Sequence, residues 1–251
     1  MLVPALIGAI TLASRRWGPA VAGWLAGFPV ITGPILLFVA MEQGPEFASA
    51  TAAGALTGGV AWLSFAIGYA WTATRMSWLP SLCIGLSAYL LVGIALVHFA
   101  APVPSIVVMV VVTILLAPLV FPRLTQPVGP ATSSSIELWA RMIAGGVLTV
   151  SVTRLSPVLG PEFSGLFAVF PVMGIVLAAF SHRASGGAFT IRLLRSMVYG
   201  FYSVTAFCLT IALALHAMGI ATGFVVALSC SLAVQMCVLW FLRRARRSIP
   251  A

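Results

Sequence analysis

The chain has 251 residues, 61% of them hydrophobic and 7% charged, with a mean hydropathy of +1.14. An ordinary globular domain carries about 25% charged residues, so this chain cannot cover a water-facing surface. Soluble, disordered and nucleic-acid-binding classes are thereby excluded. All 13 basic residues are Arg and all acids are Glu, giving a formal charge of +9. The arginines sit at the ends of apolar runs, where they act as topology signals and do not form a polyanion-binding patch.

A bilayer core of roughly 30 Å needs about 20 apolar residues per helix. Nine runs are candidate spans, the first of them short: 2–16, 18–41, 47–74, 78–100, 104–121, 136–155, 161–181, 188–215 and 219–242. Met1 to Ser14 does not read as a signal peptide, because Arg15 and Arg16 follow the apolar run and do not precede it. With the tail (Arg243, Arg244, Arg246, Arg247) placed in the cytoplasm, every arginine except Arg154 falls on the cytoplasmic side, while Glu42, Glu46 and Glu162 fall outside. That asymmetry predicts an external N-terminus and a cytoplasmic C-terminus in a multi-pass inner-membrane protein. The Lys-free, Arg- and Ala-rich composition suits a bacterial, GC-rich genome.

The second half repeats the first. Gly18-Pro19 and Gly160-Pro161 open matching segments, and the register runs through Gly23/Gly165, Phe28/Phe170, Pro29/Pro171, Phe38/Phe180, Gly44/Gly186, Phe47/Phe189 and Phe65/Phe207, always 142 residues apart. A gapless match at one offset signals duplication. Span 2 begins inside and its copy, span 7, begins outside, so the halves lie upside down to each other. Inverted repeats are a signature of secondary transporters. The expected architecture is an all-α polytopic membrane protein. Two four-helix repeats (1–100 and 136–242) flank a connecting span and cytoplasmic loop (101–135), and a basic tail (243–251) follows.

Pro29 and Pro171 fall near mid-membrane in spans 2 and 7. Proline removes an amide donor and clashes with the carbonyl four residues back. In hydrocarbon the freed groups must be met by protein or by water in a cavity. Phe28-Pro29-Val30-Ile31-Thr32-Gly33-Pro34 and Phe170-Pro171-Val172-Met173-Gly174 are therefore expected to break both helices. Their half-helix ends would offer amides to anions and carbonyls to cations. The bland alternative is a pair of kinks that only shape packing.

Other polar residues have plainer readings. Glu46 and Glu162 each stand in Gly-Pro-Glu-Phe at a helix start and suit a capping role. Arg192 and Arg195 share a face and read as interfacial anchors, with an inner gate as the alternative. His98, His182 and His216 are scattered, and the four cysteines lie in apolar runs without metal spacing, as buried thiols. Thr149, Ser151 and Thr153 read as backbone-bonded. Tyr199, Tyr202 and Gln235 carry polar groups that demand an outside partner and join the candidate path. The small residues Ala52, Ala53, Gly54, Ala55, Gly58 and Gly59 form an expected close-packing face.

No catalytic or nucleotide-binding motif is present, which argues against an enzyme and for no cofactor and no metal. The layout is similar in general terms to small inverted-repeat carriers whose broken helices cross at the middle. The expected function is a secondary transporter that moves a small organic solute, by weak preference an anion, through alternating access. The candidate substrate-binding residues are Phe28, Pro29, Thr32, Gly33, Pro34, Phe170, Pro171, Met173, Gly174, Tyr199, Tyr202 and Gln235. The expected partners are the lipid bilayer and the solute, with no nucleic acid; a homodimer is compatible. The rival functions are a non-transport assembly or accessory subunit, a lipid flippase and a channel-like facilitator.

Overall fold

The structure, a computed structural model, describes residues 2–26, 28–29, 32–99, 103–124, 135–155 and 170–247. These residues form α1 (Leu2–Trp17), α2 (Pro19–Ala26), α3 (Thr32–Thr72), α4 (Trp78–Phe99), α5 (Val103–Val120), α6 (Ser135–Leu155), α7 (Val172–Met218) and α8 (Ile220–Arg247). No strand occurs among them. Four of these helices (α3, α4, α7 and α8) hold segments long and apolar enough to cross a membrane. The first part of the expected span 7 (161–169), Glu162 and the side chain of Thr153 lie outside the described residues.

At 1.5 Å per residue a straight helix the length of α3 or α7 would run roughly 60–70 Å, twice the hydrocarbon thickness. Neither is straight. Gly44 (φ 88°, ψ 167°) interrupts α3 and Gly186 (φ 82°, ψ 173°) interrupts α7. Gly18 (φ 84°) and Gly219 (φ 74°) form the α1–α2 and α7–α8 joints in the same way. Backbone of this kind is essentially reserved for glycine. The contacts show that α3 folds back at Gly44. A side chain at Gly33 would stand 3.7 Å from Phe207, and Ser49 Oγ donates to the Ile211 carbonyl at 3.3 Å. Residues 33 and 49 would be roughly 24 Å apart on a straight helix, whereas 207 and 211 are one turn apart. Pro45 then opens the second helix, where proline is favoured.

The core is the antiparallel pair formed by residues 45–72 of α3 and 187–218 of α7. Ser49 meets Ile211 at one end, and the Gly187 backbone presses on the Ala73 carbonyl at the other. Between them Trp62 stacks on Phe201, with ring centroids 4.9 Å apart. A Cβ on Gly59 would lie 2.8 Å from the Phe201 ring, so glycine permits this crossing. The expected close-packing face is present in part: Ala52, Gly58 and Gly59 are buried, Ala53 and Ala55 half-buried, and Gly54 exposed. Residues 32–43 pack beside the far half of α7, where Leu36 and Ala40 join Phe207, Ile211 and Leu215. α2 lies on α7 so closely that any side chain at Gly23 would collide with Ser196 and the Leu193 carbonyl.

The surface is apolar and the interior carries the polar side chains. Leu91, Leu119, Val147, Val225 and Phe241 are exposed, while Thr11, Ser81, Ser203, Ser231 and Gln235 are buried. A water-soluble monomer does not show large apolar patches of that kind. The chain is a membrane-embedded helical protein. The cysteines depart from the expectation of four buried thiols: Cys208 is buried, but Cys83, Cys230 and Cys237 face outward. An apolar thiol is equally at home against lipid.

Gly44→Ala and Gly186→Ala should each destabilise the protein by about 1–3 kcal/mol, because alanine resists their dihedral angles although space is free. Gly54→Ala, in regular helix with equally open surroundings, should be neutral or stabilising by up to about 1 kcal/mol. Thermal unfolding of the three variants in detergent checks the contrast.

Candidate functional site

The first expected break is present, and at the second the described residues show a helix start directly after Pro171. Ahead of Pro29, Phe28 N donates to Leu25 O at 3.2 Å, three residues back, so α2 ends there. After it, Gly33 N donates to Pro29 O at 2.9 Å and opens α3. At the second proline Ile175 N donates to Pro171 O at 2.8 Å and opens α7 in the same way. Pro171 itself (φ −76°, ψ 48°) sits in a tight turn in which Val172 N donates to Phe170 O at 2.7 Å. Its fixed φ suits that inverse γ-turn. The amides of Thr32, Met173 and Gly174 lie ahead of the first intrahelical bonds, at the positive ends of two helices.

A cavity of about 800 Å³ joins the two breaks, within the size range of small-molecule sites. Phe28 and Thr32 line it from the first break, and Phe170, Pro171, Met173 and Gly174 from the second. Gly59, Trp62 and Phe201 form the wall at the α3–α7 crossing, and α1 and α6 contribute Ile10 and Thr149. The first break packs against Phe207 and the second against Phe65, since Cβ atoms on Gly33 and Gly174 would lie 3.7 Å and 3.4 Å from those rings. Phe65 and Phe207 are themselves 142 residues apart.

Six of the twelve residues singled out from the sequence thus line the cavity, and six do not. Pro29 and Gly33 are buried behind the break, and Pro34 is exposed on the outer face of the first turn of α3. The remaining three serve the backbone and one another. Pro118 lies inside α5 and has no N–H, which leaves the carbonyl of Ile114 without its helical partner. Tyr202 supplies the missing donor: its hydroxyl gives a hydrogen bond to Ile114 O at 2.9 Å. Tyr199 stacks on Tyr202, with ring centroids 6.4 Å apart. Gln235, 2% exposed on α8, donates through Nε2 to Trp24 O at 3.4 Å. That carbonyl lies four residues before Phe28, whose amide has turned to Leu25 O instead, so Gln235 meets a group freed by the first break.

Arg195 also has a more specific place than an interfacial anchor. Its guanidinium donates to Phe121 O at 3.1 Å and to Pro122 O at 3.2 Å, just beyond the end of α5. Trp71 Nε1 donates to Val120 O at 2.8 Å beside it. A cation at a helix C-terminus meets both the orphan carbonyls and the negative end of the dipole. Nothing in the sequence pointed to this pairing except the absence of any other partner for carbonyls at the end of an apolar helix. Arg192 is exposed and Arg141 is buried against Glu137 at 2.6 Å. Glu46 and His216 approach to 3.9 Å but are largely exposed, so that contact contributes little. Among the described residues no group of three or more His, Cys, Asp or Glu could hold a metal ion.

Tyr202→Phe should cost about 1–3 kcal/mol, because it leaves Ile114 O without a donor in a lipid environment. Pro118→Ala restores an N–H to α5, so the double variant should lose much less than Tyr202→Phe alone. A double-mutant cycle of melting temperatures reads the coupling, and additive losses would contradict the pairing. Comparison with protein-family models, curated proteins and solved structures finds no match, so the functional argument is carried by this cavity and its two breaks.

Proposed function

We propose that the chain is a secondary carrier that exposes the cavity between its two breaks alternately to the two sides of the membrane. The carrying observation is that equivalent positions of the two halves line one cavity: Phe28 with Phe170, Thr32 with Gly174, Ala55 with Met197 and Gly59 with Phe201. Each pair is separated by the 142-residue offset of the repeat. The joints Gly44 and Gly186 share that offset and nearly the same dihedral angles. The core helices that follow them run antiparallel, as repeats of opposite orientation require. On this reading α3 and α7 each contribute to two of the nine crossings that the sequence predicts. The arginine distribution then puts the Gly44 joint outside and the Gly186 joint in the cytoplasm of an inner-membrane protein.

In such a carrier the two halves exchange conformations, so that the site opens first on one side and then on the other. The breaks supply helix ends at the site, while Gln235 and Ser196 hold the parts of the broken helix that do not face it. No Asp exists in the chain and no Glu among the described residues lines the cavity, so a carboxylate proton relay within the site has no support.

The test uses single cysteines at Thr32 and Met173 in a protein whose four native cysteines are replaced, reconstituted in oriented vesicles. A membrane-impermeant maleimide should label both positions from either face. A short bifunctional thiol cross-linker joining Glu46→Cys and His216→Cys, which ties the ends of the core helices together at one side, should abolish labelling from one face only. Labelling from both faces after cross-linking indicates a channel. Labelling from neither face, with or without the cross-link, indicates a sealed packing defect; both results overturn alternating access.

A further inference from the structure

The walls of the cavity restrict what it can hold. Its described lining contains no charged side chain, and Trp17, Phe28, Trp62, Phe170 and Phe201 give it five aromatic surfaces. Thr149 has its hydroxyl committed to the Gly145 carbonyl at 2.7 Å. A sugar, an amino-acid zwitterion or an inorganic ion would surrender its water there and find too few partners. An apolar body loses no hydrogen bonds on entering and gains contact with every wall.

Besides Thr32 at the first break, one polar group stands out in this wall. Trp62 is 8% exposed and its ring is held by a parallel stack on Phe201, tilted by 3°. Its Nε1–H has no acceptor among the described residues and stands 3.1 Å from where a side chain at Gly174 would begin. An indole N–H only donates, so whatever pairs with it must present an acceptor. Gly174 leaves that N–H uncovered, and the free amides of Met173 and Gly174 lie beside it at the positive end of α7. A buried indole N–H ordinarily finds a partner.

We infer that the cavity binds a predominantly apolar organic molecule with an acceptor oxygen at one end, a carbonyl or carboxylate, which accepts from Trp62 Nε1 and lies against the start of α7. That this molecule is the transported solute rests on the carrier reading; its chemical class rests on the cavity alone. A carboxylate would also gain from the helix end, whereas a neutral carbonyl would depend mainly on the indole donor.

The test is equilibrium dialysis of the full chain in lipid nanodiscs, with empty discs measuring partition into the bilayer. The probes are 4-phenylbutyrate, 4-phenyl-2-butanone, butylbenzene, glucose and glutamate. The two acceptor-bearing aromatic probes should bind above the empty-disc level, and glucose and glutamate should not. Stronger binding of phenylbutyrate than of the ketone assigns the acceptor to an anion, and the reverse assigns it to a neutral carbonyl; either supports the class. Trp62→Phe, which keeps the stacked ring, should weaken the acceptor-bearing probes about fivefold or more and leave butylbenzene unchanged. Gly174→Ala, which sets a methyl group over Nε1, should repeat that selective loss. It serves as the independent variant if Trp62→Phe does not fold. Binding of glucose or glutamate in place of the aromatic probes would overturn the class. So would equal weakening of butylbenzene in both variants, or no binding beyond that of empty discs. The cysteine-labelling experiment needs no ligand, so the class can fail while alternating access stands, and the converse.

Discussion

A backbone N–H or C=O inside a bilayer has no water to turn to, and this fold is organised around the groups its prolines set free. Pro29 cannot donate to Leu25 O, and Phe28 N takes that carbonyl instead. Trp24 O, vacated in turn, is met by Gln235 from α8. Pro118 frees Ile114 O, which Tyr202 fills from α7. The carbonyls at the end of α5 are taken by Trp71 and Arg195. Among the described residues beside Pro29 and Pro171, the amides of Thr32, Met173 and Gly174 lie ahead of the first helical bonds, and both helix starts border the same cavity.

Glycine makes the rest of the arrangement possible in two distinct ways. At Gly44 and Gly186 the requirement is conformational, since a helix reverses without a loop and no neighbouring atom occupies the Cβ position. At Gly23 and Gly59 the requirement is space, since backbones and rings from α7 fill it. The first kind lets apolar helices follow one another with a single joint residue, so little irregular backbone needs a partner. The second lets α2 and α3 press on α7, where dispersion contacts and not water exclusion hold helices together in lipid. The proposed carrier needs both properties: rigid helix pairs and a contact surface across which they can shift.

Much of this was legible from residue order alone. The long apolar helices, the break at Phe28-Pro29 and the helix start after Pro171 correspond to features of the structure, because each depends on local chemistry: helix length and proline's missing donor. Gly44 illustrates the margin, since the sequence separates spans 2 and 3 by a short linker while the structure joins them at one glycine. Long-range pairings were not legible. The sequence shows that Tyr202 and Gln235 need partners, but those partners lie 88 and 211 residues away and are carbonyls, which every residue possesses. The sequence reading puts both in the solute path; the structure shows each bonded to a carbonyl that a proline leaves open. Trp62 carried no signal at all in the sequence, because only the fold shows that its indole N–H opens on the cavity beside Gly174.

The account turns on the two halves being inverted, and membrane sidedness tests that most directly. Glu42 and Arg183 are exposed beside the joints at Gly44 and Gly186. Each would be replaced by a single cysteine in a protein lacking its native ones, and labelled with an impermeant maleimide in intact and permeabilised cells. Inverted halves predict that position 42 is labelled in intact cells and position 183 only after permeabilisation. Labelling of both positions from the same face would contradict the inversion, and with it the carrier built on it.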